Sequence, residues 1–174
     1  MTSQLLQNSI LHIGHLPDAP DINLQILDAY RLLREEDFSR RSHFFNGRHE
    51  NLYLNSERIP ALGVVLAQAT TFAASILQLP VQALKRGFWL NDMGPGKTTS
   101  RHDHDENDEL LSAVYYIHVP ENSGKLIIHD RYSNTEVTPQ AGMFVFFAPA
   151  VVHSVSINQS CENRLSIGMN FGPA

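Results

Sequence analysis

Three of the nine histidines constrain this chain more than any other feature. His102 and His104 stand two positions apart in the polar run Arg101-His102-Asp103-His104-Asp105, and His153 follows far downstream among Val151, Val152 and Val155. Side chains so distant in sequence meet at one point only where a sheet returns one strand beside another. An imidazole among valines is costly to bury without a partner, so His153 calls for one. Beyond it come Arg164 and, two positions on, Ser166. A guanidinium offers planar paired donors to a carboxylate, and a hydroxyl adds one more. The pattern reads as metal ligands beside an anchor for a small dicarboxylate. The blander alternatives are a solvated polar turn at 101–105 and a surface ion pair of Arg164 with Glu162 or Asp130.

Composition narrows the class. At 174 residues, 18% charged and 43% hydrophobic, the chain is expected to form a single domain over 1–174, burying roughly 70% of its extended surface. A net charge of -5 without a basic run argues against a nucleic-acid partner. The lone Cys161 excludes an internal disulfide, and the first residues lack the charged-then-apolar layout of a signal peptide. A cytoplasmic protein is therefore expected. The apolar stretch 61–79 is interrupted by Gln68, Thr70, Thr71, Ser75 and Gln78, which suits a buried helix and not a membrane span.

Periodicity divides the chain near Gly87. Before it, Ile26, Tyr30 and Leu33 repeat at helical spacing, and a second helix opened by Pro60 carries Val65, Leu66, Ala69, Phe72, Ala73 and Ile76 until Pro80 stops it. Ser9 to His15 reads as a short strand, and the polar segment 40–58 as a loop that could serve as a lid. After Gly87, short β-branched and aromatic runs alternate with turn signals such as Gly94-Pro95-Gly96 and Asn158-Gln159-Ser160. The expected fold is mostly β with N-terminal helices. Residues 1–86 are the helical part, and 87–174 a double-stranded β-helix, or jelly roll, with two helices packed on it.

Side-chain parity then sorts the site. On a strand, residues two apart share a face, so His102 and His104 can enter one cavity while Asp103 turns away. Arg164, Ser166, Gly168 and Asn170 share one face of the last strand, and Tyr116 falls on the polar-facing parity of 112–119. Trp89 and Asn91 are placed to flank the cavity. His12, His15, His43, His49, His118 and His129 show no spacing that assembles a second site.

From Phe88 to Phe171 the chain resembles the iron(II)- and 2-oxoglutarate-dependent dioxygenases, in particular their prolyl-hydroxylase-like branch and small bacterial members. The residues that carry the resemblance are Trp89-Leu90-Asn91, His102-x-His104, Tyr115-Tyr116-Ile117, Ser123-Gly124, Asp130-Arg131, Pro139, Gly142, His153 and Arg164-Leu165-Ser166. It implies iron(II) held by His102 and His153, and 2-oxoglutarate as co-substrate gripped by Arg164 and Ser166 with help from Tyr116. It further implies molecular oxygen as a reactant and hydroxylation of a small-molecule or peptide substrate. The family's usual motif is His-x-Asp. Here His104 occupies the carboxylate's place, so the middle ligand is His104, Asp105 or Glu106, with His104 favoured. A cupin-type metal enzyme without 2-oxoglutarate is the competing reading, since Gly96, His102, His104 and Glu109, then Gly142, Pro149 and His153, approach that motif pair. An anchor at Arg164 and Ser166 would separate the two.

Overall fold

The computed structural model describes the chain except residues 7–8, 106–107 and 132, with only the backbone described for 3–6 and 9–10. Among the described residues the strands, in chain order, are β1 (Thr2–Leu6), β2 (Ser9–His15), β3 (Arg40–Phe45), β4 (Arg48–Tyr53), β5 (Leu84–Met93), β6 (Thr99–His102), β7 (Leu111–His118), β8 (Leu126–His129), β9 (Asn134–Val137), β10 (Met143–Phe147), β11 (His153–Val155) and β12 (Arg164–Pro173). Two α-helices, α1 (Ala19–Arg31) and α2 (Leu62–Leu77), and three short 3-10 turns complete the regular structure. The strands form an eight-stranded sheet in the order β1-β2-β10-β7-β12-β5-β4-β3 and a four-stranded one in the order β6-β11-β8-β9. Every pairing is antiparallel.

Alternation along the strands builds two cores on opposite faces of the large sheet. Tyr115, Ile117, Phe144 and Phe146 join Leu90, Ile167 and Met169 in a cluster with Ile26 of α1 and Val65, Leu66, Ala69 and Ala73 of α2. Their neighbours in sequence, Tyr116, Met143, Val145 and Phe147, pack with Leu126 and Ile128 of the small sheet. Both faces of β10 are thus covered, and all five of its residues are buried. A strand buried on both sides has no polar face to show, which is why Met-Phe-Val-Phe-Phe runs without alternation. The helices form because their apolar positions recur every three to four residues. The Gln78 backbone, at φ 57, turns the chain out of α2.

The expected helices and most of the later strands are present, with shifted ends. Residues 1–86 also contribute four strands beside the two helices, so helical describes that part too narrowly. The segment 40–58 corrects the loop expectation, because most of it is the hairpin β3–β4. Its polarity is misleading because β3 is at the sheet edge and almost wholly exposed. Nor does β6 run through both early histidines. It ends at His102. No helix of the described residues is long and apolar enough to cross a membrane.

The two-faced core makes a direct prediction. Phe146→Ala, at a fully buried site, should lower unfolding free energy in urea by about 3–5 kcal/mol. Phe44→Ala, at a side chain 69% exposed on the hairpin, should change it by no more than about 0.5 kcal/mol.

Candidate metal centre and adjoining anchor

The small sheet brings the histidines together. His153, which opens β11, lies directly opposite His102, which ends β6. His104 has already left the strand, so shared parity does not explain its convergence. The turn does: its backbone N–H donates to the Pro149 carbonyl at 2.9 Å, drawing the ring back toward the other two. Ring centroids are 4.9 Å apart for His102–His104, 4.3 Å for His102–His153 and 5.1 Å for His104–His153. One nitrogen from each falls within 4.8 Å of the others, a grouping that could hold a metal ion. Asp105 is exposed and outside this group. Glu106 lies outside the described residues.

Hydrogen bonds set the tautomers. His102 Nδ1–H donates to the Ser100 carbonyl at 2.8 Å, and His153 Nδ1–H to the Val151 carbonyl at 2.9 Å. With each Nδ1 committed to an acceptor, Nε2 keeps its lone pair for a metal, the arrangement common to metal-binding imidazoles. Burial, then the nearby His102 and His43, pushes His104 down to about 4. Burial and the proximity of His102 push His153 down to about 3, against the bond to Val151. Both rings are neutral at physiological pH, as ligation requires.

A single cavity joins this cluster to the predicted anchor. Its lining includes His102, His104, His153, Tyr116, Arg164 and Ser166. Cross-strand register explains the grouping, since Ser166 of β12 lies opposite Tyr116 of β7 on one side and Asn91 of β5 on the other. Arg164 is 2% exposed. It donates to the Gly124 carbonyl at 3.1 Å and sits over the Tyr116 ring at 5.0 Å. No carboxylate among the described residues pairs with it, so neither Glu162 nor Asp130 is its partner. Burial pulls its pKa below the usual arginine value, opposed only by Tyr116. The Tyr116 hydroxyl is itself buried with no hydrogen-bond partner among the described residues. A buried cation and an orphaned hydroxyl on one wall leave an anion's place to be filled.

Glycine shapes the same wall further along β12. A Cβ at Gly168 would stand 2.4 Å from the Trp89 indole, so that position must lack a side chain for the ring to lie across the sheet. Trp89 in turn contacts His104, with centroids 5.5 Å apart. Outside the histidines, a groove of about 520 Å³ is lined by Arg40, His43 and Tyr53 of the hairpin, Arg101, Asp103 and Asn170. Its size falls in the usual range for ligand sites, roughly 300–1,000 Å³. Sequence reasoning missed the hairpin's inward-facing pair, Arg48 and Glu50. Two opposite charges at alternate positions of a polar stretch were the available signal.

The helix-backed antiparallel β fold thus carries a histidine group that could hold a metal ion, with a cationic pocket beside it. Comparison with known proteins agrees. The sequence model of the 2OG-Fe(II) oxygenase superfamily matches residues 88–172, and through this segment the chain belongs to that superfamily. It is therefore an oxygenase of the class that uses iron(II) and 2-oxoglutarate. A prolyl-4-hydroxylase from Pseudomonas putida is similar in fold, at a TM-score of 0.72 and 20% identity over 93% of this chain and 92% of that one. A prolyl hydroxylase from Trichoplax adhaerens, solved with a hypoxia inducible factor peptide fragment, matches at 0.70 and 15% over 93% and 83%. An oxidoreductase of the 2OG-Fe(II) oxygenase family from Burkholderia pseudomallei matches at 0.66 and 16% over 93% and 84%. No curated protein sequence matches significantly. The cupin alternative loses its fourth ligand, since Glu109 is not in the histidine group.

Two predictions come from this geometry. The unfolded state takes up protons on histidine near 6.5, whereas His104 and His153 resist them until about 4 and 3. Their contribution to the metal-free protein is thus complete above about pH 6.5 and lost progressively as pH falls toward 3. Urea midpoints between pH 7.5 and 4 should decline, and a flat profile would contradict the buried neutral rings. Trp89 is the sole tryptophan, so fluorescence reports on this wall alone. Gly168→Ala should shift its emission maximum while far-UV circular dichroism stays unchanged.

Proposed function

We propose that His102, His104 and His153 are the iron(II) ligands of this oxygenase, that Arg164, Ser166 and Tyr116 hold 2-oxoglutarate, and that the enzyme hydroxylates an unactivated C–H bond. The observation that carries the reading is Arg164, a buried guanidinium without a carboxylate partner among the described residues, lining the same cavity as three clustered imidazoles. In this reading the two sheets are the halves of a double-stranded β-helix. Residues 87–174 are the catalytic core of a single domain over 1–174, buttressed by α1 and α2.

The residues present fit the cofactor. Nitrogen donors suit iron among several metals, and the dicarboxylate explains both the unpaired Arg164 and the orphaned Tyr116 hydroxyl. When bound, iron(II) supplies oxygen activation coupled to oxidative decarboxylation of 2-oxoglutarate to succinate and carbon dioxide. The chain's own tasks are positional. Arg164 fixes the far carboxylate with paired donors, and Ser166 and Tyr116 each offer a hydroxyl to it. Phe147, Leu126 and Val155 line the cavity and keep water from the reacting atoms. The outer groove admits a small molecule or a peptide side chain to the face of the metal site bounded by Trp89 and Tyr53.

Arg164→Ala should raise the 2-oxoglutarate requirement by about 10- to 100-fold, the equivalent of roughly 1.5–3 kcal/mol for a charge-assisted contact, with iron binding unchanged. Ser166→Ala should act the same way but less, at about 0.5–1.5 kcal/mol. Succinate release without added substrate, and the visible charge-transfer band formed anaerobically with iron(II) and 2-oxoglutarate, supply the readouts. His102→Ala and His153→Ala should each abolish stoichiometric iron(II) binding. Iron bound by wild-type protein with no 2-oxoglutarate response would refute the oxygenase assignment.

A further inference from the structure

We propose that Glu50, on the hairpin and outside the metal-binding strands, is a positioning residue for the metal centre, holding the backbone that orients His102. Glu50 is only 2% exposed, and a buried carboxylate is costly unless its oxygens are satisfied. Both of them reach Ser100. Its backbone N–H donates to Oε1 at 2.7 Å and its hydroxyl to Oε2 at 2.5 Å. The Ser100 carbonyl then accepts the His102 Nδ1–H at 2.8 Å. One peptide unit and one residue thus separate the carboxylate from the imidazole, and each link is a directional bond.

Arg48 makes the arrangement stiff. It stands 3.7 Å from Glu50 Oε1 and donates to the Thr98 carbonyl and the Thr99 hydroxyl, both at 3.0 Å, and to the Asp92 carbonyl at 3.2 Å. The pair therefore grips β6 from its start to the residue whose carbonyl sets the imidazole. Were Glu50 there only to neutralise Arg48, one oxygen facing the guanidinium would suffice. Instead, its two shortest contacts go to Ser100. Groups that orient metal-binding histidines commonly change metal affinity by 10- to 100-fold when removed.

This inference rests on His102 being an iron ligand, so the test measures metal binding and not turnover. Cobalt(II), followed by its visible absorption, and iron(II), followed by anaerobic equilibrium dialysis, are titrated into wild type, His102→Ala, Glu50→Ala, Glu50→Gln and Ser100→Ala. Wild type that binds neither ion, or His102→Ala that binds like wild type, removes the ligand assignment itself. With that assignment standing, Glu50→Ala should bind about 10- to 100-fold more weakly and show an altered cobalt spectrum. Glu50→Gln, whose amide oxygen still accepts the Ser100 N–H, should recover to within about threefold of wild type. Ser100→Ala removes one of the two bonds and should lose on the order of threefold or more, with an altered cobalt spectrum in the folded protein. Wild-type affinity and spectrum in a folded Glu50→Ala overturn the proposal, as does Glu50→Gln binding no better than Glu50→Ala. Should Glu50→Ala not fold, Ser100→Ala decides, and wild-type affinity there overturns it.

Discussion

The register of one strand holds the site together. β12 is paired on both sides, with β5 along its whole length and with β7 along most of it. Its period of two sends Arg164, Ser166 and Gly168 toward the cavity and Leu165, Ile167 and Met169 into the helix-backed core. A slip of one residue would exchange the two sets, burying the guanidinium among aliphatic side chains and emptying the cavity wall. The apolar face therefore specifies the polar one. Packing by α1 and α2 on the far side of the sheet is what keeps a buried, unpaired cation in place.

That cation shows how stability and function pull apart in this fold. Replacing Arg164 with an aliphatic residue would remove a desolvation cost that no carboxylate among the described residues offsets. The same logic covers the Tyr116 hydroxyl, which lacks a partner among the described residues, and the half-open His104. Each is a poor choice for a protein that only needs to fold and a good one for a pocket awaiting an anion and a metal. Such local conflicts with folding rules are expected at functional sites.

Much of this was readable in the sequence, for identifiable reasons. The helices announced themselves because one face of each is apolar, and β7, β10 and β12 because burial leaves a composition of β-branched and aromatic residues. The histidines and Arg164 stood out because their chemistry is expensive where their neighbours put them. What escaped were elements whose partners are not hydrophobic. β3 and β4 show no alternation since β3 packs against little, and β6 has four residues, all of them polar. His104 was expected on a strand and converges through a turn. Glu50 resembles a solvated charge, because the group that takes both its oxygens, Ser100, comes from a distant part of the chain.

The Glu50 carboxylate also sits where another strand would. β6 is the outermost strand of the small sheet, paired only with β11, and an outermost strand exposes backbone donors that invite pairing with a second molecule. Ser100 N–H points at Glu50, and the Thr98 carbonyl is taken by Arg48. Two side chains of the hairpin thereby impersonate the missing neighbour, closing the sheet without extending it. The segment leading to the histidines is thus protected from strand exchange and aggregation, while its other edge stays paired with the strand that carries His153.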